Sequence, residues 1–173
     1  MSGVIAGIEA CIPALRRYAS ALLRDHQEVD DLVHDCLVRA LDQHHTWRQD
    51  SNLRAWLFAI LHNLFISRMR QRKTRGPMER LDALPEGAAG AQARQDHHME
   101  SRDLMRALDE LPIEQRTVLL LVALEDLSYA DVARVTGVPV GTVMSRLSRA
   151  REKLRQAMNG NGSRGKPVLR RVM

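Results

Sequence analysis

The segment SYADVARVTGVPVGTVMSRLSRAREKLR (128–155) constrains the fold of this chain more than any other stretch. Ser128 and Asp131 form an S-x-x-D capping pattern ahead of Val132, Ala133 and Val135. That pattern predicts a short helix whose first amides are satisfied by side-chain oxygens. Gly137 ends the helix, because glycine enters the left-handed region at no steric cost. Pro139 starts a longer helix that runs to about Met158. In it Val143, Leu147, Ala150 and Leu154 recur at i, i+4, i+7 and i+11 and therefore face a core. Met144, Ser145, Ser148 and Arg149 then share an exposed face, with Arg146 and Arg151 on its flanks.

A short helix, a glycine turn and a longer basic helix make a helix-turn-helix, whose second helix enters the major groove of DNA. The chemistry of the exposed face agrees. Gly141 and Thr142 let the helix N-terminus approach a phosphate, where the amide dipoles favour an anion. Arg149 is placed to read guanine, and Ser145 and Ser148 to add base-edge hydrogen bonds. Arg146, Arg151 and Arg155 suit phosphate and carry no sequence information. A solvated amphipathic helix accounts equally well for Lys153 and Arg155, but not for the order of glycine, proline and basic face. The net charge of +5 and pI near 9.9 point weakly toward the same polyanionic partner.

The rest of the chain is also helical in pattern. Aromatics are only 3% of the 173 residues, so Leu, Val and Ala must do most of the packing, and strand-like alternation is scarce. One stripe is Ile12, Leu15, Ala19 and Leu22; a second is Val29, Leu32, Val33, Cys36, Leu37, Ala40 and Leu41. A third is Leu53, Trp56, Leu57, Ile60, Leu61 and Leu64, with Asn52 or Ser51 as its cap. The pattern then lapses over RKTRGPMERLDALPEGAAGAQARQDHHME (72–100), apart from the locally amphipathic MERLDAL. It returns at Ser101 with Leu104, Ala107, Leu108 and Leu111, and Pro112 suits the first position of the helix that follows. The expectation is an all-α chain of two small helical domains, 1–75 and 101–158, joined by a flexible linker, 76–100, with a disordered basic tail at 159–173.

Several classes are disfavoured. No Gly-rich phosphate loop, nucleophile–base pairing or metal-ligand spacing stands out, so neither an enzyme nor a cofactor is expected. Cys11 and Cys36 do not pair as metal ligands, and Cys36 sits among apolar positions as a small core residue. His97 and His98 lack matching cysteines, so no zinc site is expected there. The N-terminus has no basic leader before a long apolar run, and the longest apolar run, VLLLVAL (118–124), cannot span a bilayer. A cytoplasmic protein without membrane insertion is expected.

The first half separates charge by position. Glu28, Asp30, Asp31 and Asp35 crowd the second stripe's start, where a helix dipole alone rewards them. The third stripe ends in SRMRQRKTR (67–75), which suits a helix C-terminus and also, near Trp47 and Trp56, single-stranded DNA. Taken in order, DDLVHDCLVRAL (30–41), NLRAWLFAILHNLFISRMR (52–70), LPIEQRTVLLLVALEDLSYADVA (111–133) and GVPVGTVMSRLSRAREKLR (137–155) resemble the two signature domains of bacterial sigma factors. The compact layout resembles the extracytoplasmic-function class, over residues 10–72 and 101–157.

The resemblance implies partners and roles. Asp31, His34 and Asp35 would dock on core RNA polymerase; His34 stands where Gln is common. The loop TWRQDSN (46–52), with Trp47, Arg48 and Asp50, would join Asn63 in capturing a flipped base of the minus-ten element of promoter DNA. Arg68, Arg70 and Arg72, in the basic end from Arg68 to Arg75, would hold the backbone. Thr142, Met144, Ser145, Arg146, Ser148, Arg149 and Arg151 would meet the minus-thirty-five element; Met144 stands where Lys or Arg is common. The linker would pass near the polymerase active site. Such factors are commonly held by a separate anti-sigma protein. Two rivals remain: a dimeric helix-turn-helix repressor or activator, which would bind paired half-sites, and a sigma-domain mimic that binds an inhibitor, which needs no DNA-reading face.

Overall fold

In the computed structural model of the protein, which describes residues 2–48, 51–75 and 95–162, helix α1 spans Ser2–Leu22. It begins ten residues before the first apolar stripe and runs through Pro13, which is exposed. Helix α2 (His26–Asp42) follows a tight turn, and Asp25 caps it by accepting from the amides of Gln27 and Glu28. A single 3-10 turn (His44–Thr46) leads toward α3 (Leu53–Arg75). Of the two caps foreseen for α3, Asn52 serves: its Oδ1 accepts from the Ala55 amide at 3.3 Å.

The second half contains α4 (Gln95–Asp109), α5 (Ile113–Ala123), α6 (Tyr129–Thr136) and α7 (Val140–Gly162). Helix α4 starts six residues ahead of Ser101, and α7 runs past Met158, because neither flanking stretch contains a residue that forbids helix; the apolar stripe merely fades before the backbone stops. Pro112 is the N-cap of α5, one position earlier than foreseen. At that position its carbonyl already accepts from Arg116 while its own missing N–H costs nothing. No strand occurs among the described residues. The linker residues 76–94, Asp50, the tail beyond residue 162 and the side chains of His97 and His98 lie outside what the structure describes.

The stripes read from the sequence become the core. Leu15, Leu32, Leu57, Phe58, Leu61 and Phe65 are fully or almost fully buried where α1, α2 and α3 pack. Val118, Leu121, Val132, Val143, Leu147 and Ala150 do the same where α5, α6 and α7 meet. Tyr18 stacks edge-on against Phe58 at 5.4 Å, a favoured arrangement of ring quadrupoles. These two groups are not separate bodies. Helix α3 packs along α6, α1 touches α5, and the buried apolar residues form one continuous cluster. The linker joins two halves that are docked on one another.

Candidate nucleic-acid interface

The turn between α6 and α7 is built as its residues require. Ser128 Oγ accepts from the Asp131 amide at 3.1 Å and donates to Asp131 Oδ2 at 3.0 Å. Gly137 ends α6 in the left-handed region, φ 69° and ψ 27°, with its amide on the Ala133 carbonyl. The Pro139 carbonyl accepts from Thr142 and Val143 and starts α7. Val143, Leu147 and Ala150 are buried and Leu154 half-buried, which fixes the rotation of α7 about its axis.

That rotation places the foreseen face outward. Met144 is 53% exposed, and Ser145, Ser148, Arg149 and Arg151 are exposed with it. Thr142 is half-buried at the N-terminal end, and Ser145 Oγ donates to its carbonyl at 3.1 Å. A Cβ on Gly141 would meet no atom within 4 Å, so the glycine leaves open space beside the helix start. Tyr129 of α6 joins Met144, Ser148 and Arg151 along a shallow groove. Arg155 is occupied by Glu152, at 2.8 Å, and Arg146 is half-buried, with its charge felt at His62 of α3.

The first half presents a second set. Asp31, His34 and Asp35 are exposed on α2. Asp35 accepts from Arg68 at 2.5 Å, and Glu28 pairs with Arg72, so two of the foreseen backbone arginines are held by the acidic helix beside them. Arg70 and Asn63 are exposed on α3. Arg48 is exposed, and Trp47 is half-buried with its Nε1 enclosed and no hydrogen-bond partner among the described residues.

A third cluster escaped the reading of the sequence because it joins distant segments. The side chain of Glu125, between α5 and α6, is 0% exposed. Its carboxylate accepts from Arg17 Nε and Nη2 of α1, at 3.0 and 2.8 Å, and from Arg54 Nη2 of α3, at 2.6 Å. The pairing raises the Arg17 pKa further above its ordinary value. Nearby, Asn52 Nδ2 donates to Asp131 Oδ2 at 3.0 Å, so the residue that caps α3 also touches the cap of α6. Arg24 pairs with Asp109 of α4, which also accepts from Arg116 at 2.8 Å. The one visible signal was a glutamate directly behind a buried apolar run; nothing local says which cations meet it.

A capped glycine turn that presents a basic, solvent-facing helix on an all-helical body defines a DNA-binding protein of the helix-turn-helix class. The family model described as "Sigma-70, region 4" matches residues 101–154, and that of the "Sigma2 domain of PhyR" matches residues 8–62. The chain is 40% identical over 156 residues to the ECF RNA polymerase sigma factor EcfG of Rhodopseudomonas palustris (strain TIE-1), covering 90% of this chain and 85% of that one. It is 33% identical over 140 residues to SigM of Mycobacterium tuberculosis (strain ATCC 25618 / H37Rv), covering 81% and 69%. The sigma factor RpoE of Bartonella quintana, solved in complex with the anti-sigma factor NepR, superposes with a TM-score of 0.74 at 32% identity over 92% of this chain and 98% of that one. This chain belongs to the extracytoplasmic-function RNA polymerase sigma factors. Among its described residues no helix is long and apolar enough to cross a membrane.

Proposed function

We propose that the two exposed faces divide the work of promoter recognition as follows. Helix α2 engages core RNA polymerase through Asp31, His34 and Asp35. The segment around Trp47, Arg48 and Asp50, with Asn63, takes a flipped base of the minus-ten element, and Arg68, Arg70 and Arg72 neutralise the backbone beside it. Helix α7 enters the major groove at the minus-thirty-five element. There Arg149, Ser145 and Ser148 meet base edges, Met144 offers an apolar contact, and Thr142, Arg146 and Arg151 meet phosphate. The chain carries no catalytic step of its own and works in the cytoplasm, where its polymerase is.

The observation that carries this reading is the rotation of α7. Its buried stripe turns Met144, Ser145, Ser148 and Arg149 to solvent together, on a helix whose start is held by a capped glycine turn. A separate anti-sigma inhibitor follows from the same reading; the RpoE relative was solved bound to one.

Run-off transcription with core polymerase, with and without this chain, over fragments of its own genome tests the assignment. Discrete products that need the chain are expected; their absence refutes it. Asp31→Ala tests the polymerase face more cleanly than Asp35→Ala, because loss of Asp35 also releases Arg68. Polymerase pull-down should weaken while helicity stays unchanged.

A further inference from the structure

The minus-ten and minus-thirty-five elements lie about 25 base pairs apart by position, or about 85 Å along B-DNA at 3.4 Å per pair. A compact body of this length has a radius of gyration of about 15 Å and so spans about 40 Å. In the docked arrangement the two reading faces cannot reach both elements of one straight duplex. Promoter engagement therefore requires α6 and α7 to leave α1 and α3.

What must be broken is specific. Glu125 belongs to the second half, yet its carboxylate is enclosed by Arg17, Tyr18 and Arg54 of the first. Arg54 also lies over the Phe58 ring, 5.6 Å from its centre, which fixes the guanidinium from a second side. The Tyr18 hydroxyl is buried there with no hydrogen-bond partner among the described residues, and burial, then the Glu125 charge, disfavour its ionisation. Two cations from two helices converge on one anion fully removed from water. A buried charge is tolerated only while its partners remain, so this contact discriminates sharply between docked and separated halves. Arg17 and Arg54 remain partly exposed, and each can be rehydrated when Glu125 leaves.

We propose that Glu125, held by Arg17 and Arg54, is a latch that keeps the free chain closed and unable to span a promoter until core polymerase opens it. The proposal rests on the sigma reading for its consequence, and on the geometry alone for the closure. The latch fixes the competent fraction of the free chain, and a small competent fraction raises the concentration needed for activity in proportion.

The test uses the full chain with Glu125→Gln, with Arg17→Gln/Arg54→Gln, and with all three changes together. Small-angle scattering of the free chains should show the wild type compact and each variant expanded, at unchanged far-ultraviolet helicity. In run-off transcription the concentration for half-maximal product should fall about tenfold for Glu125→Gln, as the competent fraction rises. The triple variant should match the single one, because members of one network do not add; additive loss instead would mean simple destabilisation and would overturn the latch. An unchanged scattering radius for Glu125→Gln would also overturn it. If no chain supports transcription at any concentration, the sigma reading fails, and the scattering comparison still decides whether the halves are latched.

Discussion

Arg149 and Arg151 stand two residues apart on α7, and both are exposed, yet they are expected to behave differently. Arg149 shares the outward face with Ser145, and the proposed docking of α7 puts its guanidinium at base edges. Arg151 lies toward the flank. Arg149→Ala in the polymerase complex should cost about 1–3 kcal/mol at the preferred upstream sequence and relax base preference there. Arg151→Ala should weaken all sequences alike and lower the salt slope by about one unit. Promoter affinity against salt, over single-base variants, separates the two. His62 is a residue of another kind. Burial, and then Arg146 across the junction of the halves, push its pKa down to about 4. Above pH 6.5 it is neutral whether the chain is folded or not and imposes no penalty. Between 6.5 and 4 the unfolded chain takes a proton that the folded one refuses, so stability falls with falling pH. Below 4 both forms carry the proton and the loss stops, at about 3 kcal/mol. His62→Gln should flatten that slope in acid-unfolding curves; an unchanged slope would remove His62 as its source.

Among the elements, the α6–turn–α7 unit is where backbone and sequence agree most closely. Gly137 holds φ 69°, and any Cβ there is strained although it would touch nothing within 4 Å. Gly137→Ala should therefore lower stability by about 1–2 kcal/mol through the backbone alone. Thermal unfolding checks it. Ser128→Ala should cost about 1 kcal/mol or more, because Ser128 both caps α6 and steadies the Asp131 carboxylate that Asn52 also reaches. These features were legible because they are local: a cap, a turn glycine and a period of 3.6 each leave a mark within a few residues. The helix bounds were less so. Nothing in the apolar stripe reveals that α1 continues through Pro13 back to Ser2, since the early turns bury little besides Ile8. Gly7 is one clue to packing there, for a Cβ on it would come within 2.6 Å of Leu53 Cδ2 at the start of α3. The Glu125 site was illegible for a plainer reason: its partners lie 108 and 71 residues away, and a charge after an apolar run reads as a solvated turn.

For the molecule as a whole, one continuous core means that the covalent link between the halves is not what holds them. A protease site engineered into residues 76–94 should be cut, and the two products should still elute together at low ionic strength. Raising salt should loosen them only slightly, because the carboxylate that both ion pairs share is buried and poorly screened. Products that part at once in low salt would show that the docking depends on the intact chain. The scarcity of aromatic residues has a consequence of its own. Both tryptophans, Trp47 and Trp56, lie in the first half, and the second half beyond residue 100 holds a single aromatic, Tyr129. Excited selectively at tryptophan wavelengths, the molecule emits from one half alone. A change in that light therefore reports on α3 and the segment that leads into it, and the wild-type chain carries an optical probe of its first half that needs no added label.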